Sequence, residues 1–276
     1  MLSFDDLRRR LSLWQTTEQQ IHAFFQARGF VHVRTPMLVR SPGMEPHLDP
    51  LTTRLHLMHP ERTQDAGFIT SPEYSMKKLL GAGMKKIYTI TPVFRDGEAL
   101  GPHNWPEFTL LEWYAPGGYA ELMNETEDLL KFVLDDQTPW PHLTYAAAQV
   151  DAFGQPHTEH NRFFVTQYPP EQAALARLSE DGRTAERFEA FGDGLELCNG
   201  FCELTDAQEQ RRRFELEQAE RRAMGKRVFP LDEELLSALE KIEGPVYGNA
   251  LGLDRLIMLK YAIADIRDIQ ILNTLT

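Results

Sequence analysis

The chain has 276 residues, 42% of them hydrophobic and 25% charged, enough for one large mixed domain or two modest ones with an ordinary soluble interior. Its net charge of −12 argues against general nucleic-acid binding, which depends on Lys and Arg to neutralise phosphates. No apolar run approaches the ~18 residues of a membrane span, and the opening residues lack the apolar core of a secretion signal, so the expected location is cytoplasmic with no membrane partner.

Residues 5–27 read as a helix, because Trp14, Ile21, Phe24 and Phe25 recur near a 3.6-residue period and Gly29 supplies a stop. Phe30 to Pro36 then alternates like a strand that ends at its proline. Ser41 to Pro50 is a loop by its Pro and Gly content. Ser71 and Pro72 open a helix running to Leu80, with Glu73 in the first turn, where its charge suits the helix dipole.

The stretch from Pro92 to Tyr114 predicts two strands joined by a long polar loop. Alternation puts Phe108, Leu110, Glu112 and Tyr114 on one face of the second strand, and Glu107, Thr109, Leu111 and Trp113 on the other. A carboxylate between buried aromatics is costly without a cation. A core Arg or Lys would satisfy Glu112, and so would a cationic ligand. Tyr119 to Leu134 reads as an amphipathic helix burying Leu122, Met123, Leu129, Leu130 and Val133. Residues 135–162 are rich in Pro, His and Gln, and His157 and His160 have metal-pair spacing without an obvious third ligand.

From Arg187 to Glu203 the sequence predicts a hairpin. A two-residue loop at Gly192 and Asp193, in a type II′ turn, would set Glu189 opposite Glu196. Facing carboxylates call for a cation between them, unless the hairpin is simply acidic and solvated. Asn199, Phe201 and Glu203 have the parity opposite to Glu196, so sharing its face requires a bulge, expected at Asn199-Gly200. Cys198 and Cys202 are expected as free thiols. Arg211 to Arg213 and Arg221-Arg222 fall in a helix with Glu209/Arg213 and Glu217/Arg221 as i,i+4 pairs, a solvated face. Gly248 and Gly252 let a strand lie close to a ligand, and the helix that follows places Arg255 near its positive end.

Phe94-Arg95, His103-Asn104, Pro106 to Thr109 and Leu111 to Tyr114 resemble motif 2 of the class II aminoacyl-tRNA synthetases, in the lysyl subgroup. Together with Thr70 to Tyr74 they are most similar to the short paralogues that attach lysine to elongation factor P. The first helix and strand resemble motif 1, and Gly248 to Arg255 resembles motif 3, so the likeness runs from about Gly29 to Arg255. It implies an α+β fold: one class II catalytic domain over residues 1–276, a mostly antiparallel sheet flanked by helices, and no anticodon-binding domain. It further implies a homodimer built through motif 1, with residues 135–162 as a shortened variable insertion. Trp105, inside the usual Asn-Pro step, and Ala250, where a Gly is common, depart from the family pattern. Ser71 stands where lysyl-tRNA synthetases usually carry Ala.

The resemblance also assigns roles. It implies catalytic arginines at Arg95, on the ATP α-phosphate and attacking carboxylate, and Arg255, on the γ-phosphate. ATP would also meet Asp96, Gly97, His103, Asn104, Phe108 (stacked on adenine), Glu196, Leu197 and Gly252, with Mg²⁺ on Glu189 and Glu196. For the amino acid it implies Ser71, Pro72 and Glu73 at the α-amino end, Glu112 and Glu203 at the distal ammonium, and Tyr114, Asn199 and Phe201 as shaping residues. Three carboxylates suit a diamino acid and repel a dicarboxylic one. The implied reaction is ATP-dependent activation of lysine or (R)-β-lysine as an adenylate, then transfer to a lysine of elongation factor P. One rival is lysylation of tRNA, but the roughly thirty residues before motif 1 cannot hold the barrel that reads an anticodon. The other is a non-catalytic amino-acid sensor, which the presence of both motif arginines disfavours.

Overall fold

The computed structural model describes residues 3–58, 62–98, 100–151, 154–173 and 175–272. Ala99 of the motif 2 loop, and positions 152 and 153 of the variable segment, lie outside the described residues. In chain order the elements begin with α1 (Phe4–Ala27), β1 (Val31–His32), β2 (Leu38–Val39), β3 (Thr52–His56), β4 (Thr63–Phe68) and α2 (Glu73–Gly81). The motif 2 strands are β5 (Ile87–Phe94) and β6 (Glu107–Pro116), followed by α3 (Tyr119–Leu134), β7 (His142–Thr144) and β8 (Arg162–Tyr168). The chain closes with β9 (Ala185–Gly192), β10 (Leu195–Cys202), α4 (Ala207–Ala223), α5 (Glu233–Leu239), β11 (Val246–Gly252) and α6 (Leu253–Tyr261).

An eight-stranded sheet in the order β1-β5-β6-β11-β10-β9-β8-β7 carries the molecule, beside a small sheet ordered β2-β4-β3. Only the outer pairs β1/β5 and β7/β8 run parallel, so the expected mostly antiparallel α+β architecture is present. One face of the large sheet is covered by α1, α3 and α6, where Phe25, Trp113, Leu129 and Ile257 pack in one apolar cluster. A second cluster gathers Phe163, Phe191 and Phe201 from the strands with Phe214 of α4 and Leu235 of α5. The α3 stripe buries Leu122, Met123, Leu129, Leu130 and Val133 as its periodicity requires. Among the described residues no helix is long and apolar enough to cross a membrane.

Three local expectations need correction. The strand foreseen from Phe30 to Pro36 is only Val31–His32, an edge strand: after Val33 N–H donates to Tyr88 O at 2.8 Å the chain leaves the sheet, and Pro36 has no N–H to extend the ladder. The hairpin turns at Asp193-Gly194, one residue later than predicted, because both residues take positive φ (49° and 82°), the pairing a type I′ turn demands. Glu196 then opposes Phe191, and Glu189 opposes Asn199. The bulge falls between Glu196 and Cys198, not at Asn199-Gly200. One extra residue at Leu197 reverses the parity, so Glu196, Asn199 and Phe201 share the Glu189 face. Finally, Arg221 is not on a solvated helix face. It is 1% exposed and hydrogen-bonds Glu45 O, Leu48 O, Arg227 O and Asp49 Oδ1, because the loop 45–49 folds over α4, whereas Arg213 does form the expected pair with Glu209 at 2.9 Å.

Candidate active site

A cavity of about 500 Å³ opens where β6, β10 and β11 meet the loops that precede α2 and β6. Alternation along β6 aims Phe108, Leu110, Glu112 and Tyr114 into it while Leu111 and Trp113 go to the core. The bulge in β10 adds Glu196, Leu197 and Asn199, with Phe201 beyond them.

Glu112 is 1% exposed, and among the described residues no ion pair reaches it. Its two oxygens accept from one hydroxyl, Ser71 Oγ, at 2.9 and 3.0 Å. Neither a core Arg nor a core Lys bonds it directly. Burial, then the charge of Glu73, pushes its carboxyl well above the usual range, and the same causes, with Glu112 itself as neighbour, raise the Tyr114 phenol. Ser71 Oγ also accepts from Glu73 N–H at 3.0 Å, so one hydroxyl starts α2 and holds the strand carboxylate. Pro72 takes the N-cap position of α2 and does not line the cavity.

Glu203 sits just behind the wall rather than on it. Its Oε2 forms an ion pair with Lys77 Nζ at 2.5 Å, which is 2.6 Å from Glu73 Oε1, and neither Glu203 oxygen has a hydrogen-bond partner among the described residues. Gly248 separates it from Tyr114: a Cβ there would stand 2.3 Å from both the Glu203 Oε1 and a Tyr114 ring carbon. Burial raises the Glu203 carboxyl despite Lys77, whereas the two carboxylates raise the Lys77 ammonium and keep it cationic.

At the other end of the cavity two arginines converge. Arg95 has a buried Nε without a hydrogen-bond partner, and its guanidinium lies 5.0 Å from the Phe108 ring centre. Desolvation lowers its pKa, and Glu196, Glu98 and Glu45 are the carboxylates that oppose this. Arg255, in the first turn of α6 next to Gly252, donates to Asn104 Oδ1 and Glu196 O, each at 2.8 Å, and to His103 O at 3.4 Å. Trp105 is buried in the α-helical core cluster, so the inserted residue anchors the loop that presents His103 and Asn104. Asp96 and Gly97 point elsewhere: Asp96 N–H donates to Asp49 O at 2.6 Å and its Oδ1 caps Gly97 N–H. Glu98 lines the cavity in their place.

Glu189 and Glu196 line the same wall. Glu189 Oε1 meets Arg187 at 2.5 Å and Oε2 accepts from Tyr168 at 2.6 Å, yet burial and the Glu196 charge still raise its carboxyl. Glu189 and Glu196 are carboxylates of the kind that hold Mg²⁺, one or two per site with water and phosphate oxygens, and in this arrangement Glu189 has both oxygens engaged by Arg187 and Tyr168. Among the described residues no group of three His, Cys, Asp or Glu forms a closed metal cage, and His157 pairs with Asp151 at 3.2 Å. Cys198 and Cys202 are free and buried.

Sequence reasoning missed four residues here. Arg187 hydrogen-bonds Asn199 Oδ1 at 3.1 Å as well as Glu189, and Glu45 lines the cavity with an unpartnered Oε2, its carboxyl raised by burial. Lys77 and Arg221 act from behind the wall. The available signal for Lys77 was its i,i+4 spacing from Glu73. Glu45 offered none in a Pro-rich loop.

The comparisons bear on this arrangement directly. Residues 2–275 match the family described as tRNA synthetases class II (D, K and N). The chain belongs to that family. It is 37% identical to the elongation factor P (R)-β-lysine ligase of Salmonella paratyphi B, covering 91% of this chain and 90% of the relative. To the ligase of the same name from Proteus mirabilis it is 39% identical, covering 90% of each. The class II chain thus places both motif arginines, the two hairpin carboxylates and the Ser71–Glu112 pair around one cavity.

Proposed function

We propose that the chain activates lysine or (R)-β-lysine with ATP and transfers it to a lysine side chain of elongation factor P. The observation that carries this reading is the cavity's division: a buried Arg95 Nε without a hydrogen-bond partner beside Arg255 at one end, and at the other two lining carboxylates, Glu73 and Glu112, with Glu203 just behind them. The likeness to two ligases bearing that name supplies the acceptor.

In this reading the amino-acid carboxylate attacks the ATP α-phosphorus and pyrophosphate leaves. Arg95 neutralises charge that builds on the α-phosphate, and its buried Nε, without a hydrogen-bond partner among the described residues, supports the role. Arg255, oriented by Asn104 and the Glu196 carbonyl, takes the γ-phosphate. Phe108 stacks on adenine, with His103, Gly252 and Leu197 around the nucleotide and Asp96 and Gly97 tying down the loop. Mg²⁺, when bound, offsets phosphate charge, and Glu189 and Glu196 are the residues to hold it. At the far end Glu73, Glu112 and Glu203 receive the two ammonium groups, Ser71 fixes Glu112, Pro72 sets the helix start, and Tyr114, Asn199 and Phe201 shape the pocket. In the second step the acceptor amine attacks the adenylate carbonyl, an amide forms and AMP leaves.

A cytoplasmic homodimer is the assembly we infer, supported by the exposed apolar side chains Leu11, Val31 and Leu38 on α1, β1 and β2. Residues 135–162 are read as a shortened insertion. Their support is that the matched span of 295 positions exceeds the 276 residues of this chain, so the relatives carry insertions relative to it. Transfer RNA is a poor acceptor for a surface of net charge −12.

The deciding experiment mixes the protein, ATP and lysine or (R)-β-lysine with elongation factor P or with total tRNA. One aminoacyl group should appear on the factor by intact mass, with negligible acid-precipitable counts on tRNA. An unmodified factor beside charged tRNA reverses the assignment.

A further inference from the structure

Lys77 is the most deeply buried cation near the amino-acid end of the cavity, and the mechanism above leaves it without a role. It stands on α2 one turn after Glu73, 1% exposed, with Nζ 2.6 Å from Glu73 Oε1, 2.5 Å from Glu203 Oε2 and 5.7 Å from the Phe201 ring centre. The charged groups that act on it come from three elements: Glu73 from its own helix, Glu203 just past the end of β10, and Glu112 from β6, with the Tyr114 phenol beside Glu112. Glu45 of the 41–50 loop and Glu217 of α4 act on the same carboxylates from farther out. Its neighbour Lys78 takes no part, being paired with Asp232 and Glu234 beside α5.

We propose that Lys77 is the positioning residue of the amino-acid pocket: clamped between Glu73 and Glu203, its ammonium fixes both carboxylates and caps the pocket's charge at two negatives. Three ionised carboxylates and one ammonium sum to −2, and a diamino acid brings two positive groups. Occupied, the pocket is neutral. Without Lys77 the same pocket holds −3 in a space from which water is largely excluded, and an imbalance of one buried charge is expensive. Lys77 also engages one oxygen of Glu73 and one of Glu203, which leaves the second Glu73 oxygen and the Glu112 oxygens on the cavity wall to receive substrate. Selection for a dication is therefore built from a fourth, internal charge. The inference rests on the diamino-acid reading above.

The test is lysine-dependent exchange between pyrophosphate and ATP, with KM for lysine and kcat followed at about pH 6.5 and 8.5 for wild type, Lys77→Met and Lys77→Arg. In Lys77→Met, Glu73 and Glu203 must share a proton to stay close. That proton has a raised pKa, so it holds the pocket together at low pH and is lost as pH rises through that value. KM for lysine should rise about 30-fold at the higher pH and clearly less at the lower, with kcat within about threefold. Lys77→Arg keeps the charge, and should give a KM within about fivefold of wild type at both pH values, following the wild-type pH dependence. A folded Lys77→Met with wild-type KM at both values overturns the proposal. So does a folded Lys77→Arg as impaired as Lys77→Met, because that outcome reports packing alone. Should Lys77→Met fail to fold, the arginine variant decides by itself. Absence of exchange in wild type sinks the functional reading instead, a result read from a different arm.

Discussion

Arg95 shows how a single side chain carries a functional load that stability does not explain. A guanidinium with a buried, unpartnered Nε is unfavourable in the free protein and is compensated when an anion arrives. Arg95→Ala and Arg255→Ala should each reduce lysine-dependent pyrophosphate exchange by about 100-fold, the size of one lost transition-state charge contact. Arg255→Ala should additionally loosen Asn104, which it holds at 2.8 Å, and so raise KM for ATP in the same assay. The carboxylates make a second residue-scale expectation. Burial raises Glu112 and Glu203, so the free pocket retains protons that incoming ammonium groups displace. Lysine binding followed by calorimetry should therefore release protons, seen as an apparent enthalpy that changes with the ionisation enthalpy of the buffer. A buffer-independent enthalpy would contradict it.

At the scale of elements, α4 does more than cover the sheet. Arg221 ties the loop carrying Glu45 to the helix with two carbonyl contacts and one carboxylate contact, and its Nε also donates to Arg227 O just past the helix. Arg221→Met should cost about 3 kcal/mol, read as a lower urea midpoint, because buried carbonyls lose charged donors. On the same helix, burial and then Glu45 and Glu73 push Glu217 from 4.5 up to about 8. A carboxyl raised on folding stabilises below its unfolded value, and that contribution is lost as pH rises through its folded value. The ligand-free protein should thus melt lower at pH 8.5 than at pH 5.5, and Glu217→Gln should narrow the gap by roughly 3 °C. These helix contacts also mark where legibility in the sequence ended. Periodicity located α3 and its five buried residues, and alternation on β6 sorted cavity from core, because both signals are local. Arg221 looked solvated since its partners on the 45–49 loop lie more than 170 positions away, and the hairpin register slipped because Gly192-Asp193 and Asp193-Gly194 both carry turn chemistry. Lys77 was invisible for the same reason as Arg221: half of its clamp, Glu203, is remote in the chain.

For the whole molecule, the large sheet lies between its two largest apolar clusters, and each strand must deliver alternate residues to the correct side. On β10 that allocation depends on one extra residue at Leu197, after which Asn199 and Phe201 stay on the side of Glu189. The strand therefore carries something like a reading frame. Leu197→Met leaves the count intact and keeps an apolar side chain beside the nucleotide, so exchange should fall far less than on deletion, with a stability loss under about 1.5 kcal/mol in urea titration. Deleting Leu197 is a frameshift in space: every residue from Cys198 to Cys202 is dealt to the opposite layer, the substrate wall turns inward and the thiols turn out. Substitution scanning would miss this position, since what matters there is less which side chain it bears than that it is counted.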